Sequence, residues 1–235
     1  REIAREAEKM LGSTLVTEQT GPKGKLVSRL YVEAYCKVSR IFYAGLVIDR
    51  MIPAVTLLIA EVSTENITGV ALEHPEKILK IQLDLDKGAS PAQIQEVMAF
   101  LKLKPRSARS LETFINGMHN AFKDYDATMI EVTPVGVMRN GELIALDAKM
   151  SFDRNALYRH PEIRRLEDEY EEDDYEIQAN KYGFNYSEFD GNIGCIVNGD
   201  GIALAAMDLL RSKGVGTACF LNVKGGVDKE KIASG

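Results

Sequence analysis

The stretch "DGNIGCIVNGDGIALAAMDLL", residues 190–210, runs from an apolar segment through a glycine turn into an apolar helical pattern. Ile193 to Val197 form the apolar run, and Asn198-Gly199-Asp200-Gly201 form the turn. In α/β proteins this junction is where a phosphate meets a helix N-terminus, because free N–H groups and the helix dipole attract anions. Asp200 sets a carboxylate at that place. As an N-cap it accepts the first N–H groups of the helix and occupies the anion site with the protein's own charge. The alternative is a side chain that turns outward and does neither.

Downstream, residues 202–213 read as the helix, 217–223 as a second strand, and "GGVDKEKIASG" as the entry to another helix. One βαβ unit cannot close a two-layer core alone, so a truncated second domain is expected. Immediately upstream, residues 154–184 are polar and acidic and read as a helical connection with a solvated charged face. Further upstream, "ATMIEVTPVGVMRNGELIALDAKMSF", residues 127–152, reads as strands. Its Asn140-Gly141 supplies the positive φ angles of a tight hairpin. "PAQIQEVMAFLKL" and "SARSLETFINGMHNAFKDY" carry apolar residues at helical spacing, the first with proline at the helix start. "LVSRLYVEAY", "VSRIFYAGLVIDR" and "PAVTLLIAEV" read as three strands of a meander. "EIAREAEKML" reads as a helix with Ile3, Ala7, Met10 and Leu11 on one face.

A chain of 235 residues suits one large domain or two modest ones. The net charge of −6 argues against a nucleic-acid-binding surface. No apolar run approaches the ~18 residues that suggest a membrane span. Cys36, Cys195 and Cys219 make neither a zinc pattern nor a disulfide framework, which suits a reducing, intracellular compartment. The chain begins at Arg1 in a helical pattern with no signal peptide, as a fragment or a processed protein would.

"ALDAKMSFDRNALYRHPEI" and "DGNIGCIVNGDGIALAAMD", with "QTGPKGK" and "LYVEA" upstream, resemble the β subunit of succinyl-CoA synthetase, and equally that of malate–CoA ligase. The resemblance covers nearly the whole chain and matches the middle and later part of that subunit. It implies an α/β protein with an ATP-grasp-type nucleotide-binding domain over 1–153 and the start of a flavodoxin-like ligase domain over 185–235. It also implies ATP or GTP as substrate, Mg²⁺ as cofactor and a dicarboxylic acid to be activated. The partner is an α subunit carrying the CoA site and a histidine that is phosphorylated. The setting is the bacterial cytoplasm or the mitochondrial matrix. His74 and His160 each precede a proline and His119 lies in a helical pattern, so the reacting histidine is expected on the partner.

Carried over by motif, Glu131 is the carboxylate that orients the partner's histidine. Asp147 matches the metal-binding aspartate, and Thr133 stands where the family has its metal-binding asparagine. Glu33 and Cys36 fall at nucleotide-side positions, and Asn198 at a substrate-binding position. Other positions depart from the family. Ile41 replaces a glutamate, Asp200 an alanine, Asn222 an aspartate and Lys224 a glycine, while "AEVST", residues 60–64, lacks two glycines. These departures support the alternative of a non-catalytic relative that keeps the fold and the subunit surface.

Overall fold

The computed structural model describes residues 2–17, 20–49, 54–61, 67–166, 174–223, 225 and 228–234. Contacts divide the chain into two units, Arg1–Ala156 and Leu157–Gly235.

The first unit opens with helix α1 (Glu2–Met10) and a short antiparallel pair, β1 (Thr14–Leu15) with β2 (Lys25–Leu26). The apolar face read for α1 is exposed, with Ile3 66% and Met10 53% accessible. The strand expected over 26–35 does not form. Residues 27–37 have no regular structure, and Tyr31 and Tyr35 are 87% and 90% exposed. β-propensity describes fit to a paired, half-buried surface, and among the described residues no strand pairs with this segment.

Strands β3 (Val38–Asp49), β4 (Ala54–Ala60), β5 (Ile78–Leu83), β6 (Ala127–Met138) and β7 (Leu143–Ala145) build an antiparallel sheet in the order β5-β4-β3-β6-β7. β8 (Ala148–Phe152) also pairs with β6. Alternation sets two faces. Phe42, Ala44 and Leu46 of β3 and Ile130 and Val132 of β6 enter the main core. There they meet Val97 and Leu101, at the end of α3 (Pro91–Phe100), and Leu111 and Ile115 of α4 (Ala108–Asp124). Burial of this kind stabilises at about 25 cal/mol per Å² of apolar surface. On the other face Tyr43, Ala60 and Ile78 pack with Ile67, Val70 and Ala71 of α2 (Ile67–Glu73). Neither α2 nor β5 is anticipated from the sequence.

After β8 the chain makes a short α5 (Pro161–Arg164) and then α6 (Asp174–Lys181). In the second unit β10 (Ile193–Val197) runs parallel to β11 (Thr217–Asn222), and β9 (Asn185–Glu188) pairs antiparallel with β11. α7 (Asp200–Ser212) is the crossover between the parallel strands, and α8 (Lys229–Ser234) follows β11. The expected strand–helix–strand order is thus present. The small core of this unit is Ala179, Phe184 and Val223, with Tyr186 and Leu221 against it.

Candidate functional site

β6 carries the site because its sequence interrupts its own pairing. Pro134 has no N–H to give to a ladder, so a central strand accepts it most readily at a bulge. Phe42 pairs with Val135 and Ala44 with Val132, so Thr133 and Pro134 together oppose the single residue Tyr43. Bulges of this kind re-aim side chains and are frequent beside active sites. The Thr133 N–H donates to the Asp147 carbonyl at 3.2 Å, and the Leu146 N–H donates to the Pro134 carbonyl at 3.1 Å. The Asn140-Gly141 hairpin returns the chain for this: Gly141 has φ +94°, and the Asn140 side chain accepts the Glu142 N–H at 3.0 Å.

Glu131 is half-buried and pairs across the sheet with Gly45 on one side and Lys149 on the other. The Thr133–Asp147 backbone hydrogen bond thus sets these two residues side by side, two positions along from the Glu131–Lys149 pair. Asp147 is exposed, and its Oδ1 accepts the Ala148 N–H at 2.8 Å.

The Tyr43 hydroxyl donates to Glu131 Oε1 at 2.8 Å. Tyr43 is 1% exposed, and burial holds its pKa well above the ordinary tyrosine value, reinforced by the hydrogen bond to Glu131 and the charge of that carboxylate. Sequence reading misses Tyr43 as part of the site. The available signal was "YAG", in which Gly45 clears the strand face two residues beyond the tyrosine.

Glu33 and Cys36 lie on the irregular segment 27–37, away from β6 in the chain. Glu33 is exposed, and the half-buried Cys36 thiol points at the Ala34 carbonyl at 3.6 Å. Asn198 is exposed between β10 and α7, in the other unit. Asp200 is not an N-cap. The cap is Gly199, with φ +107°, and Asp200 is the first helical residue. Its Oδ1 accepts the Asn222 Nδ2–H at 2.6 Å, while Asn222 Oδ1 accepts the Gly199 N–H at 2.9 Å. The buried Asn222 amide thus spans the turn and engages both groups, so Asp200 neither caps the helix nor faces outward unbound. Lys224 and residues 62–64 of "AEVST" lie outside the described residues.

No group of three or more His, Cys, Asp and Glu among the described residues could hold a metal. Mg²⁺ asks for less, since it takes one or two protein oxygens and completes its shell with phosphate and water. The Thr133 hydroxyl and Asp147 carboxylate are hard oxygen donors on neighbouring segments, and they fit that demand.

A two-unit α/β protein is the class this arrangement defines: an antiparallel sheet with helices against it, followed along the chain by a parallel βαβ unit. The sequence model of the ATP-grasp domain matches residues 1–137, and the chain belongs to that family. It is 43% identical over 233 residues to the succinate–CoA ligase (ADP-forming) subunit beta of Acidiphilium cryptum, covering 99% of this chain and 58% of that protein. It is 44% identical over 234 residues to the same subunit of Chlorobium limicola, covering 100% and 59%. The chain thus spans under three-fifths of the length of these relatives. Among solved structures, an ATP citrate lyase from Methanothrix soehngenii, in complex with citrate and coenzyme A, has the same fold. The TM-score is 0.72 at 14% identity, over 99% of this chain and 56% of that one. No helix among the described residues is long and apolar enough to cross a membrane.

Proposed function

We propose that this chain belongs to the β subunit of an acid–CoA ligase of the succinate type, working with an α subunit and cleaving ATP to ADP. The identity of 43% to such a subunit across both units carries this reading. The assigned domains are a nucleotide-binding domain over 1–153, a connection over 154–184 and a ligase domain over 185–235. The γ-phosphoryl group of ATP passes to a histidine nitrogen of the partner, and ADP leaves. The phosphoryl group then passes to a carboxylate of the acid, and the CoA thiol displaces phosphate from the acyl phosphate.

In this reaction Glu131 accepts one ring N–H of the partner's histidine and leaves the other nitrogen as the nucleophile. Thr133 and Asp147 would hold Mg²⁺, which supplies charge neutralisation on the phosphates. Glu33 and Cys36 contact the nucleotide, and Asn198 contacts the acid. The experiment is a coupled assay of the full-length parent with its α subunit, testing succinate and malate side by side with ATP, CoA and Mg²⁺. Formation of succinyl-CoA with release of ADP is expected. Turnover of malate alone replaces succinate by malate, and no turnover of either overturns the reading.

One observation favours a second reading, a non-catalytic relative. The Asp200–Asn222 pair places a carboxylate at the start of α7, the helix end assigned to a phosphate. Under that reading the parent still assembles with an α subunit but forms no thioester.

A further inference from the structure

Tyr43 is almost fully buried in an otherwise apolar cluster with Ala60 and Ile78. A phenylalanine fills nearly the same space, so the hydroxyl needs its own explanation. A buried phenol calls for a partner, and Glu131 Oε1 at 2.8 Å supplies one. Two further features serve this contact. Gly45 lies opposite Glu131 across the β3–β6 ladder, and a Cβ there would stand 2.5 Å from the Tyr43 hydroxyl oxygen. The Thr133-Pro134 bulge faces Tyr43 itself, so the strand is re-aimed at the residue that reaches across to Glu131. The other carboxylate oxygen, Oε2, has no hydrogen-bond partner among the described residues.

We infer that Tyr43 is a positioning residue, whose hydroxyl tethers Oε1 of Glu131 so that Oε2 is held ready for the ring N–H of the partner's histidine. This rests on the reading of Glu131 given above. Tyr43 touches neither nucleotide nor histidine, and it acts through the carboxylate. Because burial and the adjacent carboxylate keep the phenol protonated, it remains a donor throughout the physiological range. No proton changes hands in this role: the phenol keeps its own, and Glu131 stays an acceptor towards both donors. An untethered glutamate samples several rotamers, and the partner's histidine then meets a correctly placed carboxylate less often.

The test uses the full-length parent with its α subunit and follows single-turnover phosphorylation of the partner's histidine by ATP. Tyr43→Phe is expected to slow this step about ten- to a hundredfold, the size of one hydrogen bond to a charged group, with the ATP concentration that half-saturates the single-turnover rate unchanged. Glu131→Gln is expected to slow it at least as much. The double variant should be no slower than Glu131→Gln alone, because the tyrosine acts only through the glutamate. Gly45→Ala keeps the tyrosine ring and displaces its hydroxyl, and it should mimic Tyr43→Phe; it carries the same test if Tyr43→Phe does not fold. Wild-type phosphorylation by Tyr43→Phe, or losses that multiply in the double variant, would overturn the inference and leave the proposed function standing. Wild-type phosphorylation by Glu131→Gln would overturn the assigned role of Glu131 and this inference with it. Failure of the unsubstituted pair to phosphorylate any histidine would sink the proposed function itself.

Discussion

Tyr43 shows how one residue ties stability to the site. Its pKa in the folded chain is raised above its unfolded value of about 10, first by burial and then by Glu131. The stabilisation that goes with this neutral form is complete below pH about 10 and is lost as pH climbs towards the folded value. Unfolding by urea should therefore show stability falling above pH about 10, and Tyr43→Phe should make that fall shallower by up to ~1.4 kcal/mol per pH unit. Parallel slopes for the two proteins would mean that this tyrosine ionises alike in both states, and the contact with Glu131 would then have no energetic weight. At this scale Glu131, Thr133 and Asp147 were legible as candidates because they sit in contiguous motifs. Tyr43 was not, since its partner is 88 positions away and only pairing of β3 with β6 brings the two together.

Between elements, the buried amide of Asn222 joins the end of β11 to the start of α7 by accepting from Gly199 and donating to Asp200. Asn222→Asp, the residue the resembled family carries there, keeps the acceptor and loses the donor. It also sets a second carboxylate against Asp200. It should lower stability by about 1–3 kcal/mol at neutral pH, and Asp200→Ala in the same chain should recover most of that loss. Thermal melts of the four proteins of this cycle check it, and additive losses would show that the two side chains do not interact. Element boundaries followed from periodicity where both the pattern and a partner existed. β3, β4, α3 and α4 begin within a few residues of the expected positions because alternation or helical spacing there matches a real core face. Residues 28–37 have the same strand composition and, among the described residues, no strand pairs with them, while β5, "ILKIQL", pairs with β4 although sequence reading passed over it. Pairing over distance decides such cases, and local composition does not report it.

Across the whole chain, the three histidines bear on where phosphate is carried. His119 and His160 are 3% and 8% exposed, and His74 places Nδ1 3.3 Å from Glu76 Oε1. None lies on β6 or on a strand paired with it. Incubated with ATP labelled in the γ-phosphate, the full-length parent should acquire no acid-labile label, and label should appear only on an added α subunit. Acid-labile label on the parent alone would contradict the division of labour proposed for the two subunits. The sequence by itself determined the α/β class, the helix–strand order of the second unit and the family, because periodicity, glycine turns and contiguous motifs are local and survive without coordinates. Only the tertiary structure decided that Thr133-Pro134 forms a bulge opposite Tyr43, that Glu131 is tethered across the sheet, and that Asp200 pairs with Asn222. Each depends on register and close approach between segments far apart in the chain, which side-chain packing and backbone hydrogen bonding select together.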